Sequence, residues 1–174
     1  MPAIYPFNAI QYNQGVGDVS DLVAPPYDVL SADDKAAYLK KSSSNIVSVD
    51  LPHVPPKELG PKSAYDNANK ALEAMLSGGT LTKRDTPAIF AYRQTFNAEG
   101  QTFHRSGMAC TLDTVPFGAR EGGGVLPHEQ TFSGPKEDRK ALMHATATQL
   151  SPIFGLCPDD DGAATKVVHD ICNS

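Results

Sequence analysis

Ala88-Ile89-Phe90-Ala91-Tyr92-Arg93-Gln94-Thr95-Phe96, followed by Asn97-Ala98-Glu99-Gly100 and then by Thr102 to Val115, is the stretch that decides the fold class. The flanks read as two long strands, and the connection reads as a four-residue hairpin loop with its glycine at the end. Neighbouring strands joined by so short a loop pair antiparallel. Helical patterns before and after them supply layers to cover the sheet. The expectation is an α+β domain with a mixed, largely antiparallel sheet covered by helices.

Upstream, Gly60-Pro61 opens a helix whose apolar stripe is Ala64, Ala68, Leu72 and Met75 or Leu76, and Gly78-Gly79 stops it. Ile46 to Leu51 alternates Ile46, Ser48, Asp50 against Val47, Val49, Leu51, the pattern of a half-buried strand. Ser31 caps a helix running to about Lys41, with Asp34 at the position that completes a capping box. Pro25-Pro26-Tyr27-Asp28-Val29-Leu30 and Pro52-His53-Val54-Pro55-Pro56 are proline-stiffened loops, and Tyr5 to Gln11 reads as an edge strand.

Downstream, Gly122-Gly123-Gly124 breaks the chain and Val125-Leu126 is a strand stub. Lys136 to about Gln149 reads as a helix, Pro152 to Leu156 as a strand, and Ala163 to Cys172 as a last helix. With 174 residues the chain is expected to form a single domain, residues 1–174. Its net charge of -5 and lack of a basic stripe disfavour nucleic acid as a partner, while a small anionic molecule needs only a local cluster of donors. The opening Met1-Pro2-Ala3-Ile4-Tyr5 has no signal-peptide character, and no apolar run suits a membrane span. Cys110, Cys157 and Cys172 lack metal-ligand spacing and read as free thiols, so the expected location is cytoplasmic.

The candidate site runs from Pro127-His128-Glu129 to Lys136-Glu137-Asp138-Arg139. A strand end, a loop containing Gly134 and a helix start together offer free backbone N–H groups and the positive end of a helix dipole. Lys136 and Arg139 flank the first turn as phosphate contacts, Arg139 in two-pronged fashion. His128 and Glu129 stand where a general acid or base would reach a held ligand. Glu129, Glu137 and Asp138 are alternatively a set for a hard cation such as Mg2+. Gly134-Pro135-Lys136 also has an ordinary reading as helix-entry chemistry, because Gly60-Pro61-Lys62 repeats it. Asp28 and Tyr27, on the first proline loop, and His53, on the second, are further candidates that a rigid scaffold would position. Asp28, His128, Glu129 and Arg139 are expected to approach one cleft.

Several uncommon strings occur in order along nearly the whole chain: Ala24-Pro25-Pro26-Tyr27-Asp28-Val29, Asn45-Ile46-Val47, Leu51-Pro52-His53-Val54-Pro55-Pro56-Lys57, Pro127-His128-Glu129, Pro135-Lys136-Glu137-Asp138-Arg139 and Ser151-Pro152-Ile153-Phe154. They resemble the signature blocks of the bacterial and archaeal family known as domain of unknown function (DUF) 1015. Members of that family are typically much longer, so the resemblance implies an N-terminal fragment whose partner is the C-terminal remainder. A more distant similarity, to the ParB/sulfiredoxin-like superfamily, implies a phosphate site at a helix start, here Lys136 to Arg139. That superfamily includes kinases of free serine. The strings Gly-Cys-His-Arg of sulfiredoxin and Gly-Glu-Arg-Arg of ParB do not occur here.

Three readings of function follow. In a small-molecule phosphotransferase, Gly134, Lys136 and Arg139 bind phosphate, and His128, Glu129 or Asp28 act in catalysis. His53 and Tyr27 would contact substrate, and Mg2+ with a nucleotide or pyrophosphate would serve as cofactor. In a non-catalytic ligand-binding or regulatory domain, the same anion pocket serves without turnover. The third reading, a nucleic-acid-linked protein by analogy with ParB, conflicts with the negative charge.

Overall fold

A computed structural model describes residues 2–121 and 123–174. Met1 and Gly122, and with Gly122 the centre of the expected glycine break, lie outside the described residues. The elements in chain order are β1 (Ile4–Tyr5), β2 (Ile10–Tyr12), α1 (Val19–Leu22), α2 (Ala32–Lys41), α3 (Val47–Asp50) and α4 (Lys62–Ser77). They continue with β3 (Leu81–Lys83), β4 (Phe90–Ala98), β5 (Gln101–Ala109), β6 (Thr111–Leu112), α5 (Ser133–Thr146) and α6 (Ala163–Asn173). The class is α+β as expected. Among the described residues, however, the strands form three two-stranded antiparallel ribbons, β1 with β6, β2 with β3 and β4 with β5, in place of one large sheet. The expected edge strand over Tyr5 to Gln11 is correspondingly split between β1 and β2.

The chain divides into two compact units. The first comprises Met1–Ala9, Arg84–His128 and Phe154–Ser174. Its centre is the β4–β5 hairpin, and the turn is tighter than the sequence suggested. Ala98 pairs with Gln101, so only Glu99 and Gly100 turn the chain, with φ of 50° and 73°. Two successive left-handed residues match the twist of paired strands, and this is why a two-residue turn displaces the four-residue loop. Phe96 and Phe103 stack across the ribbon at 5.7 Å between centroids. α6 packs on both strands, with His169 Nε2 3.1 Å from Ser106 Oγ and Arg93 Nη1 donating to Asn173 Oδ1 at 2.9 Å. The strand expected over Pro152 to Leu156 is absent: that segment has no regular structure, and Ile153, Phe154 and Leu156 are exposed.

The second unit comprises Ile10–Lys83 and Glu129–Ile153. α4 buries Tyr65, Ala68, Leu72 and Met75, a stripe with helical spacing, against Val49, Leu81 and Leu142. A full burial of a side chain such as Leu72 contributes about 1.5–3 kcal/mol. Gly79, with φ of 74°, turns the chain out of α4. The Ser31–Asp34 capping box at the start of α2 is present in both directions.

The strand expected over Ile46 to Leu51 is instead the single turn of α3. Asn45 is fully buried and starts that turn locally. Its side-chain oxygen accepts from the Val47 N–H at 2.9 Å, and its carbonyl accepts from the Ser48 N–H at 3.1 Å. This is the local side-chain competition that overrides an extended pattern. The period-two burial has another cause. Val47 and Leu51, four apart, pack with Leu30, whereas Val49 packs with the α4 stripe. A helical turn wedged between two core clusters mimics a strand in the sequence.

Candidate functional site

α5 begins three residues earlier than the sequence predicts. Ser133 is its first residue, Phe132 its N-cap, and the Lys136 N–H already bonds back to the Phe132 carbonyl at 3.4 Å. Of the donors that an N-terminal turn leaves over, Pro135 has none, so Ser133 and Gly134 carry the free N–H groups of the helix proper. Gly134 packs against the main chain of another loop. A Cβ there would collide with the Lys57 carbonyl oxygen. The expected anion donors at Gly134 to Glu137 therefore reduce to fewer groups than the sequence implied, because Lys136 and Glu137 fall inside the helix.

The helix buries Asp138, Leu142 and Thr146, one residue per turn along one face. Asp138 is fully buried and serves as a shared acceptor. Its Oδ1 accepts from the Tyr65 hydroxyl at 2.7 Å and from His53 Nε2 at 2.7 Å. Its Oδ2 accepts from Arg139 Nε at 2.9 Å and Nη2 at 2.7 Å. Because a carboxylate oxygen accepts, Nε2 is the His53 nitrogen that carries hydrogen. The Tyr65 oxygen in turn accepts from the Gly60 N–H at 2.7 Å. Gly60 packs close to the imidazole, where a Cβ would overlap the His53 ring. Burial, and then the bond to Asp138, push the Tyr65 hydroxyl up to about 12.

Arg139 faces the other way with its remaining donors. Nη1 donates to the Asp50 carbonyl at 2.8 Å and to Asp50 Oδ1 at 3.1 Å. The guanidinium lies 3.7 Å from the centre of the Tyr27 ring, a stacked cation–π contact. Burial raises the Asp50 carboxyl against the opposing pull of Arg139, and burial likewise raises the Tyr27 hydroxyl. One guanidinium thus fastens α5 to the end of α3 and to the first proline loop. Most of its five donors are used within the protein.

Beside this cluster lies a cleft of about 430 Å3, lined by one face of α5 and by the chain that follows it. Lys136, Arg139 and Lys140 present its cations, and Tyr27, Thr131, Thr148 and Ser151 its hydroxyls. Pro135, Leu142, Met143, Leu150 and Ile153 are the apolar part of the wall. No Asp or Glu is among the described residues that line it. Lys140 also makes a loose, exposed contact with Glu137 at 4.0 Å, an interaction worth little in water.

Among the sequence candidates, Tyr27, Lys136 and Arg139 share the cleft, and His53 joins them through Asp138. Gly134 sits against Lys57. Asp28 is exposed next to Tyr27 and does not line the cleft. Glu129 is an exposed residue of the second unit, and His128 an exposed residue of the first. For the expected cation set, no group of three His, Cys, Asp or Glu side chains suited to a metal ion occurs among the described residues.

Asp50 and Tyr65 were missed as site residues, and Asp138, read as one of a possible cation set with Glu129 and Glu137, is instead the shared acceptor of a buried cluster. The signal for Asp138 is visible in hindsight: a carboxylate four residues before Leu142 stands on the buried stripe of its helix and must find donors there.

The family model described as protein of unknown function (DUF1015) matches residues 4–174. No curated protein and no solved structure matched the chain, so the ParB/sulfiredoxin-like superfamily is not among the matches. No helix among the described residues is long and apolar enough to cross a membrane.

Proposed function

The chain belongs to the DUF1015 family, and from the geometry of its second unit we propose that it binds a small anionic molecule, of the phosphate or carboxylate class, in the cleft along α5. One observation carries the reading. In a chain of net charge -5, this cleft presents the exposed Lys136 and Lys140 with no acidic residue among its described lining, the charge of Arg139 being taken up by Asp138 and Asp50 behind it. Charge of one sign inside a concave, partly apolar wall concentrates ligands of the opposite sign.

The division of labour differs from a two-pronged arginine contact. Arg139 is held by Asp138, Asp50 and Tyr27 and serves as a fixed wall. Lys136 and Lys140, four residues apart on the same face and both exposed, are the cations left to meet a ligand. The buried cluster holds their helix in place.

Phosphoryl transfer needs more than an anion site. It requires a base directed at an acceptor hydroxyl. Within the second unit Asp28 and Glu129 are the sequence candidates for that role, and neither lines the cleft. The geometry therefore favours binding over turnover.

Calorimetric titration of pyrophosphate into the wild type and into a Lys136→Ala/Lys140→Ala double variant tests the reading. Expected are binding in the wild type and a loss of at least about tenfold in the variant, the scale of one charge-assisted hydrogen bond. Equal affinities, or no binding at millimolar ligand to folded wild type, would overturn it. Steady turnover of a nucleotide or pyrophosphate with small hydroxylated acceptors would instead establish the transferase.

A further inference from the structure

The same cleft carries information about the rest of the ligand, and the inference rests on the anion-binding reading above. Its volume of about 430 Å3 is large for a bare inorganic anion. Cavities of this size are ordinary for organic ligands.

The distribution of chemistry around the wall is uneven. Lys136 and Lys140 are exposed, whereas Leu142, which also lines the cleft, is fully buried. Pro135, Met143, Leu150 and Ile153 extend that apolar surface. Met143 is 43% and Ile153 91% exposed, so both keep apolar area in water that a ligand would cover. A bare phosphate or pyrophosphate offers nothing to cover it with. Covering it is favourable in proportion to the apolar area removed from water.

We propose that the ligand is amphipathic: an organic monophosphate or carboxylate whose anionic head meets Lys136 and Lys140 and whose apolar body lies on Met143, Leu150 and Ile153. Thr131, Thr148 and Ser151 provide hydroxyls for polar groups between the two ends.

The test compares methyl phosphate, butyl phosphate and 1-butanol by calorimetry on the whole chain, as wild type and as Met143→Ser and Ile153→Ser. Both positions are exposed, so the substitutions leave the core intact. Butyl phosphate is expected to bind the wild type on the order of tenfold tighter than methyl phosphate, the gain from roughly two methylenes leaving water. That advantage of butyl over methyl phosphate is expected to shrink in each serine variant. Equal affinity of the two phosphates would overturn the amphipathic ligand and leave anion binding standing. Absence of both phosphates, or 1-butanol binding as well as butyl phosphate, would overturn anion binding as well.

Discussion

Replacing Asp138 removes the acceptor on which three other side chains converge, and the cost follows from the geometry. The carboxylate is fully buried and takes four bonds, at 2.7, 2.7, 2.9 and 2.7 Å, from Tyr65, His53 and Arg139. Hydrogen bonds to a charged group contribute about 1.5–3 kcal/mol each, but bonds that share one acceptor do not add. Breaking a buried pair by deleting one partner costs about 3–5 kcal/mol, because the other charge stays behind. Two features place Asp138→Ala at the lower end. Arg139 keeps Asp50, and its side chain is 17% exposed, so water reaches it. The expected loss is about 3 kcal/mol. With a urea m-value of about 2 kcal/mol/M, the midpoint falls by about 1.5 M. Asp138→Asn keeps the shape but sets an NH2 group against donors, so it is expected to cost nearly as much. Urea melts followed by far-UV circular dichroism measure both. A loss below about 1 kcal/mol, with an unchanged m-value, would refute the claim that Asp138 organises the cluster.

Tyr65→Phe leaves the Gly60 N–H without its partner and takes from Asp138 Oδ1 one of its two donors, His53 remaining, and is expected to cost about 1–3 kcal/mol at neutral pH. Its pH dependence is more diagnostic. The folded hydroxyl is raised from 10.0 to about 12, so between these values the native state holds a proton that the unfolded chain releases. That contribution is fully present below pH 10 and is lost as pH rises towards 12. Urea midpoints from pH 9 to about 11.5 should converge between wild type and variant if this holds, and parallel curves would speak against it. Gly60→Ala must push the His53 ring aside, since the new methyl would overlap it. It is expected to lower stability by about 1–3 kcal/mol and to shift the His53 ring resonances in NMR; a neutral, unshifted variant would contradict the close packing.

How much was legible beforehand depended on whether a signal was local. The capping box at Ser31, the α4 stripe and the β4–β5 pairing rest on short-range chemistry, and each is present in the structure. α3 was misread because its burial pattern arises from two clusters contributed by distant segments, which period-two counting cannot separate. The same holds for the site. Tyr27, His53, Lys136 and Arg139 could be picked out one by one on rigid loops and a helix start. Their mutual arrangement could not, because it passes through Asp138, read in sequence as part of a possible cation set. A spacing of four from Leu142 and eight from Thr146 puts that acid on the buried face of α5. Arg139 was read as a ligand contact because nothing local revealed that Asp50, 89 positions away, would occupy it.

The central claim is that the cleft along α5 receives an anion, and an amide-resolved NMR titration with butyl phosphate tests it most directly. The account predicts saturable shifts at Thr131, Lys136 to Lys140 and Thr148 to Ser151, the backbone that carries the cleft's cations and hydroxyls. Lys136→Ala/Lys140→Ala is expected to move their saturation to at least about tenfold higher ligand while the remaining spectrum stays that of the folded chain. Shifts confined to other segments, or an unchanged spectrum at millimolar ligand, would contradict it.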